Sequence, residues 1–129
     1  MTDFSDSLSV SSSALRAQSQ RLRHLSENIA NADTPGYRRK LISFDTIRRG
    51  EGAGGVEPGR VHLSQGELRE IFDPAHPLAN ETGNYKGSNV SLIIELADAR
   101  EAQRSYEANL KMFDQARQMS SSLMDLLRR

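Results

Sequence analysis

The sequence predicts a mainly α protein in which long N- and C-terminal helices form a coiled-coil-like pair around an irregular, partly β middle. Three observations predict it: apolar residues recur at helical spacing at both ends, five glycines and Pro58 gather between Gly50 and Gly59, and an Asn/Asp-rich segment with Pro35-Gly36 closes the first helical pattern. The segments are 1–33, an N-terminal helix; 34–89, a turn, a glycine-rich loop and short outer strands; and 90–129, a C-terminal helix.

In the first helix Leu8, Leu15, Leu22 and Ile29 recur every seven residues, a spacing that lines one side of a coiled coil. Phe4, Leu25 and Ala32 fill the accompanying positions, but Ser11 and Gln18 interrupt them. The apolar stripe is narrow and needs a partner helix. In the last helix Leu92, Leu96, Ala99, Ala102, Tyr106, Leu110, Phe113, Ala116, Leu123 and Leu127 follow steps of mostly three and four, giving an apolar face. The opposite face carries Glu101 with Arg104, Glu107 with Lys111 and Asp114 with Arg117, pairs that add a few tenths of a kcal/mol each. At a rise of about 1.5 Å per residue the helices reach roughly 40 and 55 Å. The expected assembly interface is Leu8, Leu15, Leu22, Leu25, Ile29, Leu92, Leu96, Tyr106, Leu110, Phe113, Leu123 and Leu127. Periodicity alone leaves open whether the stripes meet within one chain or between chains.

In the middle, Leu41–Phe44, Arg60–Leu63 and Leu68–Phe72 read as short strands, and Gly50–Gly59 as a mobile loop. Gly50, Gly52 and Gly55 have the spacing of a dinucleotide-binding loop. Pro58-Gly59 follows where a helix should open, so a nucleotide site is not expected. Each proline of Asp73-Pro74-Ala75-His76-Pro77 biases the residue before it away from helix, so this stretch is a turn of fixed shape.

Composition narrows the function. Of 129 residues only 36% are hydrophobic and 5% aromatic, so the core is thin. Seventeen basic residues balance seventeen acidic ones, which supplies no field to hold nucleic acid or an anionic membrane. There is no cysteine, hence no disulfide and no thiolate chemistry. Met1-Thr2-Asp3-Phe4-Ser5-Asp6 has neither the basic nor the apolar region of a secretory signal, and no segment has the length of a membrane span. His24, His62 and His76 stand apart, and the serines Ser11–Ser13 have no nearby base in the sequence, so no catalytic residue, metal or cofactor is expected.

The residues closing the first helix have a physical reading of their own. Asn31 and Asp33 stop helices by bonding nearby backbone, and Pro35-Gly36 fits the central positions of a type II turn flanked by Thr34 and Tyr37.

The run from Ser26 to Lys40, with Asn28, Asn31, Thr34, Pro35, Gly36 and Tyr37 as its turn motif, resembles the N-terminal signature of the axial proteins of the bacterial flagellum: rod, hook and hook-associated subunits. In the second half, Asp73–Pro77, Gly83-Asn84-Tyr85, Ser88-Asn89-Val90, Arg104–Asn109 and Gln118–Arg128 are similar to proximal-rod members of that family, a sibling rod protein being the alternative. The chain departs from that pattern at Ser88, where proline is frequent, and in its compact Thr34-Pro35 turn. The resemblance implies a non-enzymatic subunit that assembles helically with copies of itself and other rod proteins to transmit torque. It further implies passage through the flagellar type III export apparatus without a cleaved signal, residence of the rod in the periplasm, and no direct membrane insertion. A cytosolic helical adaptor or export chaperone is the alternative from another class.

Overall fold

The computed structural model describes residues 2–47 and 54–129. In chain order its elements are α1 (Thr2–Ala30), β1 (Lys40–Ile47), β2 (Gly55–Leu63), β3 (Glu70–Phe72), β4 (Asn84–Lys86) and α2 (Leu92–Arg128). Long terminal helices flank a middle of short antiparallel strands, as the periodicities predict. Among the described residues no helix is long and apolar enough to cross a membrane.

The helices lie side by side and antiparallel. Asn28 bonds Glu95, Arg21 lies 3.7 Å from Glu101, and Phe4 shares a groove with Met119, so rising numbers on one helix meet falling numbers on the other. The line of closest packing on α2 holds buried Glu95, Ala102 and Ala116, at multiples of seven, with Tyr106 and Phe113 half-buried beside it. On α1 it holds Ser11 and Leu25, continued by Ala32 in the turn that follows, with Ala17 buried nearby. These side chains are mostly small, so the helices approach closely but remove little apolar surface from water. A fully buried leucine contributes about 1.5–3 kcal/mol; Leu25 and Val90 are the only buried hydrophobics larger than alanine among the described residues.

Two features of the middle depart from the sequence expectation. The segment from Gly55 to Gly59 is not a loop but the first half of β2, antiparallel to β1 with Thr46 opposite Val56 and Phe44 opposite Pro58. Proline is accepted because a two-stranded sheet consists of edges, where a missing N–H need not cost a ladder bond. Gly55 lies so near α1 that a Cβ there would stand 2.9 Å from the Ser13 hydroxyl. The neighbouring Val56 N–H donates to that hydroxyl at 3.0 Å. Gly50 and Gly52 lie outside the described residues; Gly55 of the same pattern opens a strand, not a helix. The second departure is that Leu68 precedes β3, whose partner β4 lacks the apolar alternation that marks a strand. In the Asp73–Pro77 turn, the Asp73 carboxylate accepts from Ala75 N–H, and His76 stacks on Tyr85 with ring centroids 3.9 Å apart.

Candidate assembly interface

The turn after α1 forms as its residues dictate. Tyr37 N–H donates to Thr34 C=O at 3.2 Å across Pro35-Gly36, and Gly36 has φ +74°, the left-handed value a type II turn requires at its third residue. Asn31 Nδ2 donates to Glu27 C=O, and Thr34 Oγ1 to Asn31 Oδ1, which binds the turn to the last helical turn. Gly36 N–H points at the carbonyls of Lys86 and Gly87, 3.2 Å from each, fastening the turn to the segment that leads into α2.

Beneath it lies a polar junction centred on Asn28, which is fully buried. Its amide donates to Lys40 C=O at 3.0 Å and to Glu95 Oε2 at 3.2 Å. Its carbonyl accepts from Tyr37 Oη at 2.9 Å and from Lys40 N–H at 2.8 Å. All four bonds an asparagine side chain can make are used. One side chain therefore joins α1, the turn, β1 and α2. Glu95, also fully buried, has Oε1 2.7 Å from Nε of Arg39. That N–H is off-line for a hydrogen bond, so the contact is a close charge pair. Arg39 also reaches Asp98 at 3.4 Å, and its backbone N–H donates to Asn89 Oδ1 at 2.7 Å. Ser88 Oγ donates to Ala32 C=O, a bond the proline frequent in the resembling pattern could not make.

Charge and burial bias the ionisable groups here. Burial pushes the Tyr37 phenol above its ordinary value, which keeps it a hydrogen-bond donor. The hydrogen bond from Lys40 Nζ to Glu27, 2.7 Å long, holds the Glu27 carboxyl below the usual carboxylate range and the Lys40 ammonium above the usual lysine range.

The residues expected at an interface fall into three groups. Leu25 is buried in the helix pair, as is Asn28 in the junction. Leu8, Leu15, Leu22, Ile29, Tyr106 and Phe113 are half-buried along the pair. Leu92, Leu96, Leu110, Leu123 and Leu127 stay exposed, with Leu96 55% and Leu127 72% accessible. In the turn motif Asn31 and Tyr37 are half-buried, while Thr34, Pro35 and Gly36 are exposed. Sequence reasoning missed Glu95, Arg39, Ser88 and Asn89 as members of the junction. Only Glu95 leaves a signal: a carboxylate inside Leu92-Ile93-Ile94-Glu95-Leu96, seven residues before Ala102.

Among the described residues no group of three histidines or carboxylates is placed to hold a metal. The arrangement fixes helices against each other and presents apolar side chains outward.

Comparison with known proteins gives this arrangement its context. Residues 8–38 match the family described as flagella basal body rod protein, and residues 81–126 the family described as flagellar basal body rod FlgEFG protein C-terminal. The flagellar basal-body rod protein FlgC of Agrobacterium fabrum is 40% identical over 136 residues, covering 99% of this chain and 98% of the relative. The FlgC of Salmonella typhimurium is 33% identical over 124 residues, 91% of this chain and 92% of the relative, and that of Aquifex aeolicus 32% over 88% and 89%. On these full-length similarities, together with the rod-family matches at both ends, the chain belongs to the FlgC family of flagellar basal-body rod proteins.

Proposed function

We propose that the chain is a structural, non-enzymatic subunit of the proximal rod of the flagellar basal body, stacking helically with its own copies and other rod proteins to carry torque. The observation that carries this reading is the division of α2: small residues packed on α1, large ones left in solvent, Ile93 82%, Met112 60% and Leu126 65% accessible. Large apolar side chains left exposed along the whole length of a helix point to a surface that is covered on assembly. Export through the type III apparatus, residence in the periplasm and the torque-bearing role rest on the family, whose relatives are named as rod proteins.

The test is complementation of a strain lacking the gene with Leu96→Asp or Leu110→Asp, side chains 55% and 41% accessible. The purified variants keep their melting temperature, are exported, and are missing from isolated basal bodies, and the cells do not swim. Normal incorporation of both variants would overturn the reading.

A further inference from the structure

Every methionine among the described residues lies on one stretch of α2: Met112, Met119 and Met124, with 60%, 49% and 42% of their surface accessible. The chain has no cysteine, so these thioethers and that of Met1 are its only sulfur atoms. Met112 stands one helical turn before buried Ala116 and Met119 one turn after it, so both share its side of α2. With Phe4 they line a groove of about 280 Å³ between the helices, and Met119 borders a second groove beyond Phe4 with Leu123 and Leu126. Phe4 is the single apolar side chain from Thr2 to Ser7, and it is half-buried. The start of α1 is therefore held to α2 by one aromatic ring set among Ala116 and two thioethers, a favourable pairing of sulfur with an aromatic face or edge.

We propose that Met112 and Met119 form a reversible oxidation site whose sulfoxides release the start of α1 from α2. The reactant is a small uncharged oxidant of the peroxide or hypohalous-acid class, which reaches a thioether exposed this far. With hydrogen peroxide, a sulfur lone pair attacks one oxygen, the O–O bond breaks, the S=O bond forms, and the other oxygen leaves as water. Sulfur loses two electrons and the peroxide gains them. A polar acceptor then stands where an apolar side chain packed. Pressed against the Phe4 ring, that oxygen is left without a donor; turned out to water, it takes the side chain off the ring. Either way Phe4 loses its seat. Methionine sulfoxide reductases restore the thioether, which makes the change a switch and not only damage. Met112 also lies on the side of α2 assigned above to assembly, so the oxidised free subunit is kept out of the rod. That consequence rests on the rod reading; the oxidation site does not.

Purified full-length protein is treated with dilute hydrogen peroxide, and peptide masses follow one added oxygen per methionine. Amide hydrogen exchange over residues 7–15 quickens roughly threefold or more, and returns to its starting rate after incubation with the reductases for both sulfoxide epimers. Met112→Leu with Met119→Leu keeps the apolar volume, and its exchange is unchanged by peroxide although Met1 and Met124 still oxidise. Met112→Gln with Met119→Gln makes the groove polar without oxidant, exchanges like the oxidised wild type, and is depleted from isolated basal bodies relative to the leucine protein. Exchange unaltered by oxidation, an equal response in the leucine protein, or no recovery after reduction overturns the proposal, and equal incorporation of the glutamine and leucine proteins overturns its assembly consequence. If wild type and the leucine protein are themselves missing from basal bodies, the rod reading falls while the exchange rates still decide the oxidation site.

Discussion

Gly36 shows how one backbone torsion sets the path of the chain. A Cβ there would meet nothing within 4 Å, so the cost of any substitution is conformational, not steric crowding. At φ +74° alanine is strained and a β-branched residue more so, with Gly36→Val losing roughly 1–3 kcal/mol. Thermal melts should rank wild type above Gly36→Ala above Gly36→Val, and incorporation into basal bodies should follow the same order with export unchanged. Equal melting of all three would show that the turn tolerates a different path. The Glu27–Lys40 pair gives a pH signature. Glu27, depressed below 4.5, adds stability above that value that is lost as pH falls through its folded pKa. Lys40, raised above 10.5, adds stability below that value that is lost as pH rises through its folded pKa. Lys40→Met should lower stability by a small, even amount between those limits and converge with wild type in acid; a difference that grows below pH 4.5 would contradict this.

At the scale of elements, the two sides of α2 answer differently to substitution. Ala102 is completely buried, and Ala102→Leu should wedge the helices apart at a cost of about 1–3 kcal/mol, read as a lower melting temperature. Leu110→Asp should leave melting within about 0.5 kcal/mol and act on assembly alone. The reverse pattern would mean that the exposed side, not the small-residue side, holds the pair. Both helices were legible because a long apolar repeat in steps of three and four suits a helix and neither a strand nor a loop. The line along which they touch was not, since Ser11, Ala17 and Ala102 carry almost no hydrophobic signal and are buried through the close approach that small side chains permit. The heptad leucines, which stand out in the sequence, are only half-buried along α1. Gly55 and Pro58 read as loop because local propensity was weighed without the neighbouring strand and helix that fix them. The turn was fully legible, for Pro35 and Gly36 have narrow conformational choices; the junction around Asn28 was not, since Arg39, Asn89 and Glu95 meet only through the fold.

The molecule as a whole has a closed end, cross-linked by hydrogen bonds through Asn28, and an open end held by a thin apolar line. Stability should therefore be graded. Hydrogen exchange of the free subunit should be slowest near Leu25–Ile29 and Glu95–Ala102 and fastest before Phe4 and after Met119. Limited proteolysis should begin at the same open end. Uniform protection along both helices would indicate a self-sufficient hairpin with no need of neighbours.

The hairpin of β1 and β2 is fixed to α1 at two separate places, Val56 N–H on Ser13 Oγ and Lys40 N–H on Asn28 Oδ1. Asn28 lies fifteen helical steps beyond Ser13, about 22 Å of axis. A plate hung from one point swivels about it, whereas a plate fastened at two points this far apart resists rotation as a bracket does. A sideways push on the hairpin thus reaches α1 as a couple, one fastening loaded in each direction. Cutting the Ser13 fastening with Ser13→Ala should leave the hairpin folded but free to swing on its remaining attachment, like a door reduced to a single hinge.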